Sequence, residues 1–97
     1  MQIARRRTRW MPEPAWEVLR LCAVLGELSA ADLARLSGCP LRAVLTSVDN
    51  LMHANLVISR PDGLVGHRST LMREAIAEQV SPPSRLHLRE TLAAIPS

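Results

Sequence analysis

Along residues 41–54, apolar side chains recur at Leu41, Val44, Leu45, Val48, Leu51 and Met52, the three-and-four spacing of one helix face. That whole face is expected to be buried. The helix should close at Ala54-Asn55, because Asn tolerates the left-handed backbone that ends many helices. Leu56–Ile58 follows with two β-branched residues and reads as a short strand. Arg60-Pro61-Asp62-Gly63 is a tight turn, with Pro61 pre-setting φ and Gly63 supplying a positive one. Leu64–Gly66 then runs back as the second strand of a hairpin. Ser69 can cap a further helix through Glu78, with Leu71, Met72, Ala75 and Ile76 facing inward.

Two helices are expected upstream. Pro14 suits a first helical turn, and Val18, Leu19, Leu21, Cys22, Val24 and Leu25 give a broad apolar face that Gly26 ends. Ser29 and Asp32 mark the start of a short second helix, with Leu33 and Leu36 inward and Gly38 as its stop. Pro40 opens the third. Downstream, Ser81-Pro82-Pro83 breaks the chain, and Arg85–Ala94 reads as a last helix packing through Leu86, Leu88, Leu92 and Ala93. Arg89 and Glu90 face out. A helix-turn-helix tri-helical core leading into a hairpin and one or two more helices predicts a mostly α, winged-helix fold.

At 97 residues the chain is expected to be one domain, residues 13–97, behind a lead-in of residues 1–12. A domain of this size buries roughly 65% of its unfolded surface, enough to fold without staples. There is no Phe or Tyr and only Trp10 and Trp16, so the core must be aliphatic. Trp10 and Met11 should tuck against the first helix. Without a membrane-spanning run or a signal-peptide pattern, the expected compartment is the cytoplasm. Cys22 and Cys39 show no metal-ligand spacing, and Cys22 falls on the apolar face as a small core residue.

The formal charge of +3 is unevenly spread. All twelve basic residues are Arg, and Arg5, Arg6, Arg7 and Arg9 lie in the lead-in; the rest of the chain has eight Arg against nine carboxylates. The basic arm suits either a nucleic-acid contact or an exposed joining segment, and the second is favoured because nothing in the body extends the patch.

Catalytic chemistry is scarce. His53, His67 and His87 lie in different elements without acidic partners at motif spacing, and the four Gly residues form no phosphate loop. No enzyme activity, no metal and no cofactor bound by this domain alone are expected. DNA binding is the functional candidate from fold, since a winged helix lays its third helix in the major groove. The outward face would then be Arg42, Ala43, Thr46, Ser47, Asp49, Asn50 and His53, with Arg60 and Arg68 on the hairpin. Arg42 and Asp49 cancel, and the phosphate attraction that supplies most non-specific affinity is correspondingly weak.

The stretch Pro14-Ala15-Trp16-Glu17-Val18-Leu19-Arg20-Leu21-Cys22 through Gly26, followed by Asp32-Leu33-Ala34-Arg35-Leu36-Ser37-Gly38, resembles the opening of the winged-helix domain of STAND-type signalling ATPases. The set it looks most like is the large ATP-binding transcriptional regulators of the LuxR class from actinobacteria. Ser69-Thr70-Leu71-Met72-Arg73-Glu74-Ala75-Ile76 and Leu86-His87-Leu88-Arg89-Glu90-Thr91-Leu92 are similar to that family's two later helix motifs. The similarity runs from Pro12 nearly to the end.

In that family the domain packs on the ATPase core, and a motif histidine can approach the phosphates of bound ADP. Aligning on Arg73-Glu74-Ala75 puts Ser69 at the histidine position, with His67 two residues earlier. The resemblance implies a non-catalytic module that relays nucleotide state by docking on an ATPase module of the same protein, where ATP or ADP would sit. Arg68, Ser69, Arg73 and Glu74 would make the interdomain contacts. The alternative is a stand-alone regulator binding double-stranded DNA through Arg5, Arg6, Arg7, Arg9, Arg42, Thr46, Ser47, Asn50 and Arg60. A third reading is an interaction module or homodimer through the last helix.

Overall fold

The computed structural model describes residues 13–95. The basic lead-in, with Arg5, Arg6, Arg7, Arg9 and the expected packing of Trp10 and Met11, lies outside the described residues. The chain runs α1 (Glu13–Leu25), β1 (Leu28–Ser29), α2 (Ala30–Ser37), α3 (Leu41–His53), β2 (Val57–Ser59), β3 (Leu64–His67), α4 (Thr70–Glu78) and α5 (Pro82–Ala94). It is mostly helical, with one small antiparallel sheet.

Local chemistry accounts for most boundaries. Ser29 accepts a hydrogen bond from the Asp32 amide at 3.1 Å and so starts α2. Gly38, at φ 73°, ends it by returning its amide to the Ala34 carbonyl. Asn55 takes φ 61° after α3, the left-handed position expected of it. The hairpin turn closes through the Gly63 amide on the Arg60 carbonyl at 2.8 Å, and Asp62 accepts from the Leu64 amide at 3.1 Å. Ser69 caps α4 through the Met72 amide. The last helix starts three residues earlier than expected: Ser81 caps it, and Pro82 and Pro83 occupy a first turn whose amides need no partner.

The hairpin is part of a larger unit. β3 is the middle strand, paired with β2 through Val57↔His67, Ile58↔Gly66 and Ser59↔Val65. Its other edge pairs with β1 through Leu28↔Val65 and Ser29↔Leu64. No periodicity in the sequence marks Leu28–Ser29 as a strand.

α1 is the axis of the core and touches α2, α3, α4, α5 and β3. This is why it buries Val18, Leu19, Leu21 and Cys22 almost completely. Leu33, Val44, Val48, Leu51, Val57, Val65, Ile76, Val80 and Leu88 complete an aliphatic core around it.

Several inward expectations fail. On α3 only Val44, Val48 and Leu51 are buried, whereas Leu41, Leu45 and Met52 remain exposed. Ser47, expected to face outward, is 6% exposed and packs inward. On α4, Ile76 is buried but Leu71 is 78% exposed, and Met72 and Ala75 are also outside. On α5, Leu88 is buried while Leu86 and Ala93 are exposed. The physical reason is common to all three helices. Each packs through one side, against α1, α2 or the sheet, so the outer half of a broad apolar stripe stays uncovered.

Candidate functional site

The third helix projects Arg42, Thr46, Asp49, Asn50 and His53 to solvent, as the DNA reading requires. Ser47 does not join them, because it lies on the core side of the same helix. His53 spends its ring nitrogen on the Asp49 carbonyl at 2.8 Å. The flanking apolar residues Leu41, Leu45 and Met52, expected in the core, are exposed on the same helix and make it partly apolar.

Of the arginines in α2, α3 and the hairpin, Arg35 and Arg60 are engaged by carboxylates. The Arg60 Nη1 donates to both oxygens of Glu27, at 2.9 and 3.1 Å. Hydrogen bonding to Glu27, then its charge and that of Asp62, holds the Arg60 guanidinium above its ordinary pKa. Arg35 lies 3.9 Å from Asp32. Both pairs are solvent-exposed and contribute little to stability, yet each cancels a charge that a polyanion would need. Arg68 is exposed just beyond β3.

A second cluster joins α1 to the sheet and α4. It lines an open recess of about 320 Å³ that includes Glu27, Gly66, His67, Thr70 and Arg73. The His67 Nε2 lies 2.7 Å from the Leu19 carbonyl, which can only accept, so Nε2 carries the proton. His67 Nδ1 is buried and without a hydrogen-bond partner among the described residues. Arg73 donates from Nε to the Ala23 carbonyl at 3.2 Å. Cys22 donates to the Val65 carbonyl at 3.4 Å, and burial pushes its thiol up to about 12 despite the nearby Arg73 charge. Gly66 matters here because a Cβ on it would stand 2.9 Å from Cγ of Glu27, which lies over the strand.

This arrangement redistributes the four residues expected to reach another domain. Ser69 is spent as the α4 cap and Arg73 as a tie to α1. Arg68 and Glu74 remain exposed. The His67, Arg73 and Glu27–Arg60 links were invisible in the sequence, since each joins residues more than thirty positions apart. The exposed apolar groups did leave a signal, a stripe wider than one neighbouring helix covers.

Among the described residues no group of three or more His, Cys, Asp or Glu is placed to hold a metal ion. No described helix is long and apolar enough to cross a membrane. Comparison with protein-family models, with curated proteins and with solved structures finds no match for this chain.

Proposed function

We propose that this chain is a non-catalytic winged-helix module that docks on another protein module, an ATPase in a STAND or LuxR-class transcriptional regulator, and relays its nucleotide state. Helix, strand, two helices and hairpin, with sheet order β1-β3-β2, support the winged-helix reading. One observation carries the docking reading. Leu41, Leu45 and Met52 on α3, Ile58 on β2, and Leu71 and Met72 on α4 are exposed, while Arg35 and Arg60 are tied to carboxylates. Exposed apolar patches mark protein contacts, whereas DNA-binding surfaces are strongly positive.

Docking would shift the module between a bound and a free state through contacts made in one of them. The outer face of α4, with Leu71 most exposed and Arg68 and Glu74 nearby in sequence, is the proposed contact. The test begins with the gene. A frame continuing upstream of Met1 into a phosphate-binding loop is required, and a frame without one overturns the ATPase reading. In that longer protein, Leu71→Asp should change nucleotide-dependent activity without unfolding this domain.

The alternative, a DNA-binding regulator using Arg42, Thr46 and Asn50 with the arginine arm, draws on the same fold and on the exposure of those three residues. Titration with random duplex at several salt concentrations separates the two. Steep salt dependence, reduced by Arg42→Ala, would favour DNA.

A further inference from the structure

We propose that the recess between α1, β3 and α4 is a binding site for a small oxyanion, a carboxylate or a phosphate group, held by Arg73. This is separate from the docking reading, which uses the outer face of α4. The recess has a volume of about 320 Å³, at the lower end of the range for small-molecule sites. Gly26 lines it without a side chain, which leaves room beside the Arg73 guanidinium: a Cβ there would stand 3.6 Å from Nη2.

Arg73 is the group that selects an anion. Its Nε donates to the Ala23 carbonyl at 3.2 Å, a bond that ties the guanidinium to α1. Its two Nη groups have neither a hydrogen-bond partner nor a carboxylate at ion-pair distance among the described residues. A guanidinium held at one end with its fork open matches two oxygens of a carboxylate or phosphate. Thr70 adds a hydroxyl to the lining and is the first residue of α4, the end where the helix dipole favours negative charge. His67 offers no free polar atom, because Nε2 bonds the Leu19 carbonyl and Nδ1 is buried.

The charge balance of the lining is positive. Glu27 is its carboxylate, and Arg60 holds both of that carboxylate's oxygens, at 2.9 and 3.1 Å. Arg73 is left uncompensated. The buried Cys22 thiol, which also lines the recess, registers the same balance. Burial is the largest influence on it, the Arg73 charge is next, and Glu27 is weaker than Arg73. A monoanion seated beside Arg73 would neutralise the site. One bidentate guanidinium contact open to water supports half-saturation at about 1–10 mM.

Amide NMR of the full chain, titrated with inorganic phosphate and separately with acetate at constant ionic strength, tests this. Saturable shifts at Gly26, Gly66 and Thr70 are expected with at least one of the two, and the anion that saturates them identifies the group. Arg73→Gln should weaken binding at least tenfold. Glu27→Gln removes the opposing carboxylate and should tighten binding about threefold. Glu27 is exposed, so this second variant decides the matter should Arg73→Gln fail to fold. No saturable shift with either anion, the same shifts with chloride, undiminished binding in Arg73→Gln, or binding no tighter in Glu27→Gln would each overturn the proposal. None of these results depends on whether an ATPase docks on α4.

Discussion

Arg73 on α4 reaches back to the last turn of α1, where its Nε donates to the Ala23 carbonyl at 3.2 Å. The guanidinium also approaches the Gly26 position, where a Cβ would meet its Nη2 at 3.6 Å. A cation is thus held against the carbonyl end of α1, the end where the helix dipole favours positive charge. Arg73→Met should cost about 1–2 kcal/mol in urea unfolding. Glu74→Gln, one residue along but exposed, should stay within about 0.5 kcal/mol.

Cys22 supplies a pH signature. Its thiol ionises at 9.0 in an unperturbed setting and near 12 in the folded protein, because burial disfavours the thiolate. The folded state therefore holds its proton more tightly, and stability is unaffected below pH 9. It falls above that pH as the unfolded thiol ionises first, by up to about 1.4 kcal/mol per pH unit until the folded pKa is reached. The chain has no Lys and no Tyr, so few other groups ionise in that window. Denaturant unfolding at pH 8 and pH 10.5 should show the decline, and Cys22→Ala should flatten it.

The two thiols should also differ in reactivity at neutral pH. Cys22 is buried and Cys39 half-buried, and both are free. A thiol reagent should modify Cys39 in the native protein and Cys22 only on unfolding. Equal rates for both would contradict the burial of Cys22.

Core and surface leucines should separate sharply. Leu33 and Leu21 are fully buried, so Leu→Ala at either should cost about 2–5 kcal/mol. Leu71→Ser, at a site 78% exposed, should stay within about 0.5 kcal/mol. Chemical denaturation of the three variants is sufficient to check this.

Ser29, Ser69 and Ser81 each accept a bond from the amide three residues on. Replacing any one by Ala should cost about 1 kcal/mol. These caps were legible in advance at Ser29 and Ser69, because a hydroxyl just before an apolar-periodic run has a local meaning. Asn55 and Gly63 were legible for the same reason, since their positive φ values serve turns written into neighbouring residues. The start of α5 was misplaced because Pro82 and Pro83 read as a break, although prolines fit a first turn.

What stayed hidden is non-local. A two-residue strand such as β1 has no periodicity to read, and its identity depends on β3 lying beside it. Periodicity also counts apolar positions without knowing what covers them, which is why Leu41, Leu45, Leu71 and Leu86 were placed inside. Ser47 shows the converse: a small hydroxyl residue can sit on the covered side of α3. Arg60 looked available for phosphate until Glu27, thirty-three residues away in sequence, was found bonded to it.

The placement of β3 between β1 and β2 has a mechanical consequence. A load applied at the Pro61–Gly63 tip passes through β3 into Leu28–Ser29, the link that joins the first helix to the second. The Glu27–Arg60 pair fastens the same two points from outside. Anything that grips the tip therefore also pulls on the joint between α1 and α2, so the hairpin acts as a lever on the bundle.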